Sequence, residues 1–239
     1  MAARIGSGWY DKYMQFLRES QGEAVQAIAA KICDELIAGQ RVLWLVCGGS
    51  NIAAEVEVMK LVSERAGERL AALAILPTDE RYGPAGHKDS NAEQLHEAGF
   101  EPGEATWVDV LMHDVPLDQT VRFYNDVAAT ALSSATSIIA QFGIGPDGHI
   151  AGILPDSPAA KANGVTAVGY ETPEFTRITL VPAALQQVHT AYALAYGESK
   201  KTALTRLQKN KETLAKLPSR LLYKIPEVYI YNDQIESED

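Results

Sequence analysis

The sequence predicts an α/β fold: a doubly wound, mostly parallel sheet with helices on both faces, in a single domain over residues 1–239. Three observations predict it. Short continuous apolar runs such as RVLWLV (41–46) and SIIAQFGI (137–144) are the mark of strands buried on both faces. Stretches of helical periodicity alternate with those runs, as a parallel sheet with crossover helices requires. No internal repeat and no linker rich in Pro, Gly or Ser divides the chain.

In chain order, the first 40 residues hold one helical pattern, with Ala24, Val25, Ile28, Ala29, Ile32, Cys33, Leu36 and Ile37 at helix spacing and Gly39 as the stop. The strand at 41–46 runs into Gly48-Gly49-Ser50, and helical spacing resumes over 52–62. LAALAIL (70–76) reads as the next strand, followed by the polar loop that begins Thr78-Asp79-Glu80-Arg81. A short helix is expected near 91–98 and a longer one over 117–132, before the strand at 137–144. Later strands are expected at 164–169, 176–181, 189–196 and 228–231, with a helix from about 198 to 209. The acidic tail QIESED is expected to fray.

Composition narrows the function. Hydrophobic residues make up 46% and charged residues 22%, a globular balance. The net charge of −10 is mixed along the chain with no basic block, which excludes nucleic acid and anionic membranes as partners. An anionic ligand must therefore be gripped locally, by a few basic side chains and backbone N–H groups. The N-terminal stretch carries Arg4 but no apolar leader region, and no apolar run reaches about 18 residues, so a cytoplasmic location is expected. Cys33 and Cys47 have no CxxC or Cys/His company and read as small buried hydrophobes in a reducing compartment. No HExxH or other ligand spacing is present, so no metal is expected, and no Gly-x-Ser-x-Gly elbow marks a serine hydrolase.

Ligands in open α/β sheets bind beyond the carboxyl ends of the strands. Three unusual segments fall at such ends. Gly48-Gly49-Ser50-Asn51 lets the backbone approach an anion, with Ser50 placed to cap the following helix; a plain strand–helix turn would use the same residues. In Thr78-Asp79-Glu80-Arg81, Asp79 is placed to orient a catalytic group and Arg81 to hold a phosphate or an oxyanion; a solvated loop with an Asp–Arg pair is the bland reading. In Gly143-Ile144-Gly145-Pro146-Asp147-Gly148-His149, Asp147 and His149 lie two apart, close enough to face one pocket, and histidine is suited to take a proton from water. The same stretch spells GxGxxG with Glu171 23 residues beyond Gly148, but Pro155 and Pro158 deny it the sustained helix of a dinucleotide site. Lys200, at a helix start, and Arg177, at a strand start, are further phosphate ligands in prospect, each equally readable as a surface cation. His87 is expected at the pocket rim, and His96, His113 and His189 are scattered.

Taken together, GGS at 48–50, DER at 79–81 with DSN at 89–91, GIGPDGHIAGILP at 143–155, RITL at 177–180 and GESK at 197–200 resemble the 6-phosphogluconolactonase family, related in fold to glucosamine-6-phosphate deaminases. The resemblance runs from about residue 40 to 232 and implies a deaminase/ribose-phosphate-isomerase-like sheet. It implies hydrolysis of 6-phospho-D-glucono-1,5-lactone to 6-phosphogluconate, with no metal and no cofactor, and a small phosphorylated sugar lactone as the partner. His149 matches the general base that activates water, Asp79 and Asp147 would orient it or the substrate, and Arg81 would contact substrate. Gly48, Gly49, Ser50 and Asn51 would hold the phosphate with Lys200 and Arg177. The chain departs from the family's pattern at Asn51, where Thr is common, and at Ala92, where an aromatic is usual. It departs again at Ile150-Ala151-Gly152-Ile153-Leu154-Pro155, in place of Thr-Ala-Ser-Leu-Phe-Pro.

Two rivals remain at this level. A glucosamine- or galactosamine-6-phosphate deaminase would continue the GIGPDGHIA block into Phe-Asn-Glu-Pro, whereas Gly152-Ile153-Leu154-Pro155 has no carboxylate. A non-catalytic sugar-phosphate sensor would keep the fold and lose the reaction, and retention of His149, Asp147 and Arg81 speaks for an enzyme. Neither oligomeric state nor pathway partner is readable from the chain.

Overall fold

The structure, a computed structural model, describes residues 13–236. The N-terminal stretch read for a leader and the end of the acidic tail lie outside the described residues. Ten strands and seven α-helices follow one another in the order β1 (Tyr13–Leu17), α1 (Gln21–Ile37), β2 (Val42–Val46), α2 (Ile52–Ala66), β3 (Leu73–Pro77), β4 (Asp79–Arg81), α3 (Asn91–Glu97), β5 (Thr106–Trp107), α4 (Leu117–Ser134), β6 (Ser137–Gly143), α5 (Pro158–Lys161), β7 (Ala167–Glu171), β8 (Thr176–Leu180), α6 (Pro182–Leu185), β9 (Thr190–Ala195), α7 (Lys201–Lys209) and β10 (Glu227–Asn232).

Seven strands form one sheet in the order β1-β10-β9-β6-β2-β3-β5, with every pairing parallel. From β2 the chain builds outward through β3 to β5, then returns to the other side of β2 and builds through β6, β9 and β10. The order reverses between β2 and β6, and a crevice at the carboxyl ends of these two strands follows from the topology.

The apolar runs become strands because both faces of the sheet are covered. Val42, Trp44 and Val46 pack on one face with α1 and α2, while Leu43 and Leu45 pack on the other with Tyr124, Ala128 and Leu132 of α4. The period of two thus divides one continuous apolar run between two cores. Helix α1 opens with the reciprocal Ser20–Glu23 capping box, Glu23 N–H donating to Ser20 Oγ and Ser20 N–H to Glu23 Oε2. It ends before Gly39, whose φ of +78° is the left-handed conformation that closes a helix. Among the described residues no helix is long and apolar enough to cross a membrane.

Three differences from the expected elements matter. Residues 13–17, expected within a helical segment, form β1, an edge strand paired with β10. The strand expected over 70–76 begins at Leu73, because 67–72 winds into 3-10 turns first. The third is the segment after Thr78, expected as a loop, which is strand β4 of a second, antiparallel sheet ordered β4-β8-β7. Alternation then sorts its three charges: Asp79 and Arg81 face one way and Glu80 the other. Glu80 is fully buried, and its carboxylate accepts the N–H groups of Arg81 (2.6 Å), Asn91 (2.7 Å) and Ala92 (3.0 Å) and the Ser90 hydroxyl (2.9 Å). A buried acid therefore caps α3 and ties it to β4.

The small sheet leaves no room at Gly152, one of the departures from the family pattern. A Cβ there would lie 2.8 Å from Thr179 Cβ and 2.9 Å from Asp79 Cβ, both short side-chain atoms close to the backbone. Gly152→Ala is expected to lower unfolding stability by about 1–3 kcal/mol, as overpacking a tight contact does. Chemical denaturation measures it, and an unchanged midpoint would show that the turn at Gly152 packs less closely on the small sheet than described.

Candidate active site

A cleft of about 230 Å³ opens at the β2/β6 crevice. Of the ten residues singled out in the sequence, eight line it: Gly48, Gly49, Ser50, Asp79, Arg81, His149, Arg177 and Lys200. Asp147 reaches it through a hydrogen bond to His149. Asn51 does not line the cleft: it is buried behind the turn, with its Nδ2 donating to Cys47 Sγ at 3.3 Å.

His149 stands on the turn after β6. Its Nδ1 lies 2.6 Å from Asp147 Oδ1, and its backbone N–H donates to the same oxygen at 3.1 Å. Burial opposes ionisation of Asp147, but these bonds outweigh it and hold the carboxyl down at about 2. An ionised Asp147 accepts Nδ1–H, so the lone pair of the neutral ring sits on Nε2, which has no hydrogen-bond partner among the described residues. The turn is built around the ring: a Cβ at Gly145 would fall 2.1 Å from both Cε1 and Nδ1 of His149. Beyond Gly148, residues 149–157 form no helix, which removes the dinucleotide reading on structural grounds.

The opposite wall is cationic. Antiparallel pairing sets Arg81 directly across from Arg177, and like charges in that position repel unless something neutralises them. Both guanidinium groups lie over the Phe175 ring, 5.2 and 5.7 Å from its centroid. Arg81 also donates to the Asp89 carbonyl at 2.9 Å, and Arg177 lies 3.8 Å from Asp79 Oδ2. The Nε of each arginine is nonetheless buried without a partner. Lys200, half-buried in the turn before α7, adds a third cation; burial pulls its ammonium down from its usual value, against the attraction of Asp147. Burial likewise pushes the Asp79 carboxyl up, against the pull of Arg177 and Arg81.

The glycine turn is shaped as expected but for different reasons. Gly48 has φ of +80°, and a Cβ there would meet Asn91 Oδ1 at 2.7 Å, so the backbone of β2 comes close to α3. Its N–H is not directed at the cleft, because Glu55 accepts it. Ser50 does not cap α2: residues 49–51 form a 3-10 turn with no side-chain cap, and the hydroxyl stays exposed at the cleft.

Other expectations change as well. Cys47 is not a plain core residue but lines the cleft, its thiol pushed well above the usual range by burial and by Glu55 and so protonated at neutral pH. His87 does not line the cleft; its Nε2 lies 2.8 Å from the Arg81 carbonyl oxygen. His189 accepts the Ile138 N–H at 3.1 Å. His96 and His113 line a separate cavity of about 410 Å³ with Ala92, Phe100 and Trp107.

Sequence reasoning missed Phe175, Glu55 and Arg206. Phe175 stands two residues before Arg177 on the approach to β8, where the strand alternation could have placed it beside the arginines. Arg206 donates to the Asp147 carbonyl at 3.0 Å while its Nε and one terminal nitrogen hold the Glu212 carboxylate at 2.7 Å each, which buttresses the histidine turn from α7. No spacing rule links residue 147 to residue 206.

The chain is similar in sequence and fold to known proteins. Residues 18–230 match the family described as glucosamine-6-phosphate isomerases/6-phosphogluconolactonase. A 6-phosphogluconolactonase from Caulobacter vibrioides is 30% identical over 139 residues, 53% of this chain and 58% of that protein. One from Streptomyces coelicolor is 25% identical over 154 residues, 53% and 54% of the two chains, so the chain spans little more than half the length of these relatives. A solved 6-phosphogluconolactonase from Thermotoga maritima superposes with a TM-score of 0.72 at 20% identity, covering 92% of this chain and 98% of that one. A monomeric glucosamine-6-phosphate deaminase superposes with 0.75 at 16%, covering 92% and 96%, which shows the shared fold. With a family match over nearly all of the described residues and the fold in agreement, the chain belongs to the glucosamine-6-phosphate isomerase/6-phosphogluconolactonase family.

Proposed function

We propose that this cleft hydrolyses a phosphorylated sugar lactone, 6-phospho-D-glucono-1,5-lactone, to 6-phosphogluconate in the cytoplasm. The observation that carries the proposal is one cleft holding an Asp147-oriented histidine opposite two cross-strand arginines with unsatisfied donors. The substrate's phosphate joins Asp79 in neutralising the arginines, held by Gly49, Ser50, Arg177 and Lys200 at the start of α2. A water between His149 and the lactone carbonyl gives its proton to Nε2 as its oxygen attacks the carbonyl carbon. Asp147 stabilises the imidazolium that forms. Arg81 holds the developing oxyanion. Collapse of the tetrahedral intermediate breaks the bond from carbonyl carbon to ring oxygen, and the imidazolium returns its proton to that oxygen, leaving the open-chain acid. An amino-sugar deaminase would need a ring-opening carboxylate in the stretch after His149; Leu154 stands there, its N–H donating to the Tyr170 hydroxyl oxygen at 3.3 Å.

In a lactone hydrolysis assay corrected for spontaneous opening, His149→Ala is expected to lower kcat by about 10²–10⁴-fold. Acceleration retained in that variant would remove the histidine from the chemistry. Gly145→Ala displaces the ring and is expected to reduce kcat about 100-fold, with the fold intact by circular dichroism. Full activity would mean that the ring does not need the space the glycine leaves.

Asp147 also marks the acid side of stability. Its folded carboxyl, at about 2, lies below the ordinary value of roughly 3.9, so the ionised form favours folding. The contribution is complete above the ordinary value and is lost as pH falls toward 2. The difference in melting temperature between wild type and Asp147→Asn is therefore expected to shrink as pH falls below 4. A difference independent of pH would show that the carboxylate is not tied to His149.

A further inference from the structure

Glu55 is a buried acid that the reaction above leaves without a part. It sits in the first turn of α2 with no exposed surface, behind the glycine turn and outside the cleft lining. Its Oε1 accepts the Cys47 N–H at 2.7 Å, and the carboxylate shares the Gly48 N–H at 3.2 and 3.3 Å. The ionisable groups that act on it are Cys47 at the end of β2 and Asp79 at the start of β4, and no cation is among them. The buried residues of α1, packed against α2, carry no charge, and Gln141 on neighbouring β6 is neutral. A carboxylate in such a place is held only by peptide dipoles, and a second anion placed on the other side of the turn meets no intervening positive side chain from behind.

We propose that Glu55 is a positioning residue of the anion site, holding the Gly48 turn from behind and taking up one proton when a phosphate dianion occupies the turn in front. This rests on the reading of the cleft as a phosphate-ester site. Burial already pushes the Glu55 carboxyl up to about 7, against the N–H bonds from Cys47 and Gly48, so near neutrality a modest added repulsion moves a proton. The proton comes from solvent and sits on the carboxylate oxygen that leaves the Cys47 N–H bond to the other. The Cys47 thiol does not compete, being pushed further from neutrality in its neutral form. Asp79 is the other buried acid nearby, and a substitution at Glu55 alone separates the two. Gln at position 55 keeps an oxygen for both N–H groups and removes the titration.

The test is calorimetric titration of the full chain with 6-phosphogluconate at pH 7.5 in two buffers of different ionisation enthalpy, for wild type and Glu55→Gln. Wild type is expected to take up roughly half a proton per ligand more than Glu55→Gln does. Removing the like charge is expected to tighten binding roughly fivefold at pH 8 and to leave it nearly unchanged at pH 6. Binding by wild type without proton uptake, or equal uptake by both proteins, overturns the proposal and leaves the phosphate-ester reading standing. Loss of binding in a folded Glu55→Gln also overturns it, since the ionised carboxylate would then be what the ligand needs. If wild type binds no phosphate ester at all, the reading of the cleft fails and the linkage with it. Should Glu55→Gln not fold, the infrared difference spectrum of Asp79→Asn on ligand binding decides: a new protonated-carboxyl band supports the proposal, and its absence overturns it.

Discussion

The parallel pairing of β2 with β6 is the contact on which the rest of the molecule depends. Both strands are buried along nearly their whole length and are built almost wholly of apolar side chains, Gln141 on β6 being a buried polar exception. The chain leaves β2 in one direction and arrives at β6 from the other, and their carboxyl ends are left side by side without a crossover to cover them. Polar residues gather where the buried strands stop. Cys47 and Gly48 follow β2, Gly143 and Gly145 close β6, and Asp79 follows β3 from the other side.

What distinguishes the site chemically is that two buried acids are turned away from it, while Asp79 and Glu174 share its lining with three cations. Glu80 and Glu55 face away from the cleft and are satisfied by peptide N–H groups, one capping α3 and the other bracing the glycine turn. Arg81, Arg177 and Lys200 line it, and the Nε of each arginine is buried without a partner. Strand alternation separates Glu80 from its neighbours at no conformational cost, since Asp79 and Arg81 must point opposite to Glu80. A chain with net charge −10 can therefore gather three cations in one cleft.

Much of this was legible before any coordinates. Apolar runs at 41–46 and 137–144 located the two central strands, because burial on both faces selects a nearly continuous apolar run. The motifs at strand ends located the cleft, because topology brings such ends together. What was not legible depends on tertiary pairing. Thr78-Asp79-Glu80-Arg81 looks like a solvated loop until β8, about a hundred residues later, supplies its partner. Ser50 looks like a helix cap, but a 3-10 turn intervenes. Glu55 falls one turn into an ordinary amphipathic helix, and only the backbone of Gly48 folding back over it explains a carboxylate there. Ala92 and Gly152 read as losses against the family pattern. The structure gives Gly152 a steric reason, and it puts Ala92 on the wall of the cavity lined by Phe100 and Trp107.

The most direct test of the account is a crystal structure of the chain with 6-phosphogluconate, the product of the reaction proposed for the cleft. The phosphate is expected against Gly49 and Ser50 within reach of Lys200 and Arg177, and the carboxylate within hydrogen-bond distance of His149 Nε2 and Arg81. A ligand bound instead in the cavity beside Trp107, or in the cleft with its carboxylate turned away from His149, would contradict it.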